Sequence, residues 1–239
     1  PDPRVGPTQL KKRDPATGTP LKSVTFIACF TVSPLLLSAY TATTCLGRGL
    51  AATRAALRQG RSGLQPCQFE TVELDTWIGE VQGVDEQALP DHLQAYDCRN
   101  NRLTLMGLET DGFAERVRQA IRHYGPSRVG VFLGTSTAGI LQTEQAYRRR
   151  DPATGALPAD FHYRTTHNAF SLAEFTRDYL GLTGMAMAIS TACSSSAKVF
   201  AAAARQLALG RLTPREALCR RAAVLLAALA SFCSISMRL

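Results

Sequence analysis

The 239 residues carry 45% apolar side chains, enough to bury at least one sizeable core and too many for a chain that stays disordered. The net charge of +8 sits on the flanks: residues 1–22 hold five basic and two acidic groups, 211–239 hold five and one, and 23–210 balance to +1. No basic patch is interleaved with aromatics, which argues against a nucleic-acid partner. Seven cysteines without a CxxC or Cys/His cluster argue against a disulfide framework and for a reducing, cytoplasmic setting.

Residues 1–22 are rich in proline and basic groups and read as a disordered or turn-rich extension. Within them Asp14-Pro15-Ala16-Thr17-Gly18 follows Lys11-Lys12-Arg13, and the same five residues recur at Asp151 to Gly155 behind Arg148-Arg149-Arg150. Both copies are turn chemistry, with Asp before Pro and Gly free to take a positive φ, and five residues are too few for a repeat architecture. Val24 to Tyr40 is apolar enough to raise a secretory signal or a membrane anchor. It is short of a full span, Pro34 interrupts it, and Ser and Thr are scattered through it, so a membrane role is not expected.

Leu35 to Tyr40 is instead expected as a central parallel strand, continuously apolar because both its faces are covered. A helix follows from Gly47 to Gly60, with Leu50, Ala51, Ala55 and Leu57 on the inner side. Residues 64–100 read as short strands or loops, with Val72 and Leu74 alternating and Trp77-Ile78 apolar. Leu103 to Tyr124 predicts an amphipathic helical region with Leu105, Leu108, Val117, Ala120 and Ile121 inward and Arg116, Arg118 and Arg122 in solvent; Gly125-Pro126 ends it. Val129 to Leu133 is a short buried strand that runs into the turn Gly134-Thr135-Ser136-Thr137-Ala138-Gly139. That turn lacks the Lys-Ser/Thr end of a phosphate loop and the spacing of a dinucleotide fingerprint, so a nucleotide site is not expected. Phe161 to Leu182 carries His162, His167 and Asn168 in a loop, then a helix with Phe170, Leu172, Phe175 and Leu180.

From Met185 to Ser190 an apolar, strand-like run leads to Cys193, and from Ser194 to Leu209 helix formers follow, with Val199, Phe200, Ala203 and Leu207 at the spacing of one buried face and Gly210 as a natural C-cap. Cys193 therefore stands on a turn at a helix N-terminus. There the unpaired N–H groups and the positive end of the dipole favour a negative sulfur, which makes Cys193 the candidate nucleophile. An inert buried cysteine at a plain strand-to-helix junction has the same local composition.

Four segments together resemble the β-ketoacyl-acyl carrier protein synthases, the condensing enzymes of fatty acid and polyketide assembly. They are Leu37 to Gly47 with Leu57 to Gly63, then Gly130 to Ile140, the helix start around Asn168, and Ile189 to Ser196. The resemblance covers roughly residues 35–212. It implies the N-terminal half of a thiolase-like α/β fold, with a mostly parallel sheet and helices on both faces. By the same resemblance Cys193 is the acyl-accepting cysteine of a decarboxylative Claisen condensation and Thr137 lines the acyl pocket. The partners implied are an acyl carrier protein bearing acyl and malonyl groups and a second copy paired through Met185 to Ser190. No cofactor or metal is implied. The family's active-site histidines lie C-terminal to its cysteine, whereas His92, His123, His162 and His167 all precede Cys193, so no catalytic histidine is carried over.

Beyond Leu212 the resemblance stops. Residues 213–239 read as an atypical tail in which Ala222 to Phe232 forms either a short buried helix or a sticky apolar end, and the expectation is a second half lost by frameshift or truncation, leaving a form without condensing activity. Two other readings stay open at this level: a non-catalytic partner of a condensing enzyme, and a nucleophile-elbow hydrolase, for which the G-x-S-x-G pattern is missing.

Overall fold

The structure, a computed structural model, describes residues 35–68 and 73–209, together with the backbone strand at 224–228. A two-residue ladder, β1 (Thr43–Thr44) with β2 (Gly47–Arg48), leads into helix α1 (Leu50–Arg58). A second antiparallel pair joins β3 (Leu64–Pro66) to β4 (Trp77–Gly79). After a 3₁₀ turn at Asp91–Tyr96 come α2 (Arg99–Glu109) and α3 (Phe113–Tyr124), then β5 (Gly130–Gly134) and α4 (Ile140–Arg148). A π-helical turn at Tyr163–His167 precedes α5 (Ser171–Tyr179), β6 (Ala186–Ile189), α6 (Ser195–Ala208) and β7 (Val224–Ala228).

The main sheet runs β6-β5-β7 and is parallel throughout. Every residue of β5 is buried, as a central parallel strand with both faces covered requires. Successive side chains of a strand point to opposite faces, and the core follows that alternation. Val129, Val131 and Leu133 join Phe113, Ala114 and Val117 of α3 and Leu172 and Ala173 of α5 on one side. Phe132 meets Val199, Ala202 and Ala203 of α6 on the other. A third cluster, Leu89, Leu93, Leu105 and Phe175, seats the 3₁₀ turn on α2 and α5. The α/β class with helices on both faces of a parallel sheet is thus what the chain adopts.

Several expectations are corrected. Among the described residues Leu35 to Tyr40 pairs with no strand; Leu36, Leu37 and Tyr40 stand exposed, and Ala39 packs against the core. Both edges of β5 are already taken, by β6 and by β7, so no place beside the central strand is left for it. The expected helix in the tail is overturned where the tail is described, because Val224–Ala228 forms that third parallel strand. Helix α1 buries Ala56 and leaves Ala51, Ala55 and Leu57 exposed, because its inner face is set by the close approach of Ala52 to Gly47 rather than by its largest apolar residues.

The helical region before Gly125 is two helices, broken where Asp111 (φ 55°) and Gly112 (φ 66°) take left-handed conformations. Arg118 is not in open solvent: its guanidinium lies 5.5 Å from the centroid of the Tyr179 ring and donates to Tyr179 Oη at 3.2 Å. The 1–22 extension, the apolar stretch up to Pro34, Val72 and the Gly210 cap lie outside the described residues. Among the described residues, no helix is long and apolar enough to cross a membrane.

Candidate active site

Strands β5 and β6 run parallel and in register from Val131 opposite Ala186 to Gly134 opposite Ile189, so both end at the same edge of the sheet. In an open parallel sheet this carboxyl edge is where ligands bind. Two turns meet there: Thr135 to Gly139 after β5, and Ser190 to Ser194 after β6. Thr135 N–H donates to Ile189 O at 3.1 Å and continues the ladder one step past the strands.

The second turn carries Cys193. It is a sharp strand-to-helix elbow, in which Ala192 has φ 50°, a left-handed conformation that a Cβ disfavours. Ser194 N–H donates to Thr191 O at 3.3 Å and Ser195 N–H to Ala192 O at 3.1 Å, so the chain reverses within four residues and enters α6 directly. Cys193 is exposed as a free thiol at the tip, one residue ahead of the N-cap Ser194. The helix behind it spans 14 residues, and its first-turn N–H groups face the elbow.

The elbow sits directly on the end of β5 because residue 134 is glycine. A Cβ there would stand 2.8 Å from Ser195 C and 2.9 Å from both Ser195 O and Ser196 N, closer than real Cβ contacts come. The turn after β5 is held from inside: Thr135 Oγ1 donates to Thr137 O at 2.6 Å and accepts from Thr137 N–H at 3.3 Å, and Asn100 Nδ2 donates to Thr137 O at 3.3 Å. Thr137 is half-buried on this turn, which abuts the cysteine elbow through Thr135 and Ser195.

Two of the histidines, His167 and His123, are engaged elsewhere. His167 Nδ1 bonds Thr143 Oγ1 at 2.7 Å with its ring tilted against Tyr163, and His123 stands edge-on to Tyr124. No hydrogen bond joins any of the four to Cys193. Cys98, by contrast with the exposed Cys193, is buried, and burial pushes its thiol up, with backbone N–H groups of Asn101 and Asn100 only partly offsetting this.

Residues that the sequence alone does not single out are Gly134, Thr135 and Ser195. Glycine at the end of a buried strand signals a close approach, although nothing in the sequence says to what.

The family model described as β-ketoacyl synthase, N-terminal domain, matches residues 36–213. The chain belongs to the β-ketoacyl synthase family. The ketoacyl synthase domain is similar, at 25% identity and a TM-score of 0.58, to a ketosynthase solved in complex with its chain length factor from Xenorhabdus doucetiae. That match takes in 72% of this chain and 43% of the ketosynthase, so the chain spans less than half the length of that relative. A ketosynthase from module 6 of the bacillaene synthase of Bacillus subtilis matches at 16% identity and a TM-score of 0.49, over 71% of this chain and 28% of that one. No curated protein matched the chain.

Proposed function

We propose that the domain performs the acyl-accepting half-reaction of a condensing enzyme of fatty acid or polyketide assembly, with Cys193 as the nucleophile. One observation carries the reading: Cys193 is an exposed free thiol on a strained elbow at the start of a 14-residue helix, within the segment that matches the ketoacyl synthase family. The Cys193 sulfur attacks the carbonyl carbon of a carrier-bound acyl thioester. A new carbon–sulfur bond forms, the bond to the carrier sulfur breaks, and the carrier leaves as a thiolate that takes up the proton Cys193 gave up. The Cys193 N–H is the proposed donor to the oxygen on which negative charge develops, with the positive end of α6 beside it; the Ser194 and Ser195 N–H groups are already given to Thr191 O and Ala192 O. Thr137, on the adjoining turn, is the proposed wall of the acyl pocket.

The second half-reaction, decarboxylation of a malonyl unit and attack of the resulting carbanion on the acyl-Cys193 carbonyl, needs donors that hold the developing enolate. In the family these are histidines C-terminal to the cysteine. His92, His123, His162 and His167 precede Cys193 and none bonds to it, so the domain alone is expected to accept an acyl group without completing condensation.

The partners proposed are an acyl carrier protein and a second chain of the same fold. Among the described residues the outer edge of β6 pairs with nothing, and a strand edge of this kind is a template for pairing. A second copy joined edge to edge through Met185 to Ser190 closes it; that the X. doucetiae ketosynthase was solved in complex with its chain length factor supports a partner chain. Light scattering tests this, with a dimer mass expected and a monodisperse monomer against it.

The functional test supplies acyl-loaded and then malonyl-loaded carrier protein and reads protein mass, carbon dioxide and β-ketoacyl product. Acyl transfer without product is the expected result. Product at ordinary enzymatic rates would overturn the half-reaction assignment, and no transfer at all would overturn Cys193 as nucleophile.

A further inference from the structure

Two residues past Cys193, Ser195 is 3% exposed and carries the most connected hydroxyl of the elbow. Its Oγ accepts from Thr191 N–H at 2.8 Å and donates to Ala192 O at 2.7 Å; Thr135 O lies 3.4 Å away on the β5 turn. A hydroxyl has one proton to give, and the shorter distance assigns it to Ala192 O. The side chain thus holds the Ala192–Cys193 peptide by its carbonyl and ties it to the Ser190–Thr191 peptide, spanning Ala192, the residue with a left-handed backbone. From the geometry we propose that Ser195 positions Cys193, by holding Ala192 in the left-handed conformation that turns the cysteine out onto the start of α6.

The inference rests on the reading of Cys193 as the nucleophile. A non-glycine residue leaves the left-handed region when the surroundings stop over-determining it. Remove the hydroxyl, and the Thr191 N–H loses its partner and Ala192 O keeps only the longer bond from Ser195 N–H, while Ala192 gains by relaxing to negative φ. Cys193 then swings with it, because the peptide that changes is its own. Ser194 does not duplicate the role: its Oγ donates to Thr191 O at 2.9 Å and lies 3.0 Å from Thr191 Oγ1, so it holds the peptide before Ala192, while the Ala192–Cys193 peptide is held by Ser195. The backbone of Ser195 is meanwhile fixed against Gly134, so the clamp is anchored to the sheet and does not travel with the elbow.

The test is a double-variant cycle with Ser195→Ala and Ala192→Gly, read by iodoacetamide alkylation of Cys193 in peptide maps, alongside acyl transfer from a loaded carrier protein and the thermal midpoint. Alkylation needs only the thiol and its helix terminus, so it reads the elbow even where acyl transfer fails. Ser195→Ala is expected to slow alkylation of Cys193 about tenfold, the scale of one lost buried hydrogen-bonded pair, and Ser195→Thr, which keeps the hydroxyl, to restore most of the rate. Glycine adopts positive φ freely, so in the Ala192→Gly background the effect of Ser195→Ala is expected to shrink to about twofold. A merely structural role would give equal losses in both backgrounds, and that equality, or an unchanged rate in Ser195→Ala, would overturn the proposal. If Ser195→Ala does not fold, the double variant is expected to fold, and its failure would count equally against it. The reading of Cys193 fails separately, if the wild-type chain takes no acyl group while its alkylation still answers to Ser195.

Discussion

The backbone of Ser195 lies against Gly134 with no room for a side chain between them: a Cβ on residue 134 would stand 2.8 Å from the Ser195 carbonyl carbon. The glycine is needed here for space, since its φ is not among the positive ones. Gly134→Ala therefore has to push the first turn of α6 off the end of β5. Overpacking against backbone costs about 1–3 kcal/mol, which lowers the thermal midpoint of a chain this size by roughly 2–12 °C. Cys193 alkylation should slow along with it. A variant with wild-type midpoint and wild-type labelling would show that the elbow does not rest on the strand end.

Asp111 caps helix α1 from a distance of 61 residues, its Oδ2 accepting from Leu50 N–H at 2.9 Å and from Thr41 Oγ1 at 2.9 Å. Gly49, at the N-cap itself, has no side chain to offer, so the carboxylate supplies both the acceptor and the favourable charge at the helix start. Asp111→Ala should cost about 1 kcal/mol, and Asp111→Asn, which keeps an acceptor and tolerates φ 55°, less than half of that. Denaturant unfolding midpoints check the order; equal losses for both would mean that the carboxylate's charge, rather than an acceptor or the left-handed backbone, sets the cost.

Tyr96 donates to Asp178 Oδ2 at 2.8 Å, and burial, reinforced by that carboxylate, pushes its phenol from an ordinary 10.0 up to about 12. A group whose pKa is raised on folding contributes stability that is complete below its unfolded pKa and lost as pH climbs through the folded one. Stability should thus fall between about pH 10 and pH 12 in the wild type, and less so in Tyr96→Phe. Burial also pushes the Tyr179 phenol up, so phenolate absorbance should show the late ionisation reduced by one tyrosine in Tyr96→Phe; an unchanged late amplitude would count against Tyr96.

The cysteines should divide by position. Cys193 is exposed at a helix start, Cys45 and Cys67 are half-buried, and Cys98 is buried with its thiol pushed up, so iodoacetamide at pH 7 should label Cys193 first and Cys98 last. Uniform labelling across these four would remove the argument for an activated elbow.

How much of this the sequence discloses depends on the range of the interaction involved. The 3.6-residue pattern from Ser194 to Leu209 and the stop at Gly125-Pro126 are local, and α6 and the end of α3 appear where those patterns put them. The turn at Cys193 is readable because a strand pattern meets a helix pattern there. The left-handed Ala192 is not readable, since alanine carries no signal for positive φ and what holds it is the Ser195 hydroxyl. Leu35 to Tyr40 misleads because an apolar run states that it prefers burial, not which strand has a free edge to accept it. Val224–Ala228 misleads in the other direction: five small and branched apolar residues fit a helix or a buried strand equally by composition, and only pairing with β5 decides. Gly134 was visible as a strand-end glycine, but its reason lies 61 positions further along the chain.

The central claim is that Cys193 takes the acyl group, and peptide-resolved mass spectrometry after incubation with acyl-loaded carrier protein tests it most directly. The account predicts one added acyl mass on the peptide that contains Cys193, released by neutral hydroxylamine as a thioester should be, and no acylation in Cys193→Ala. Acyl groups on another cysteine, or equal acylation in the Cys193→Ala chain, would contradict it.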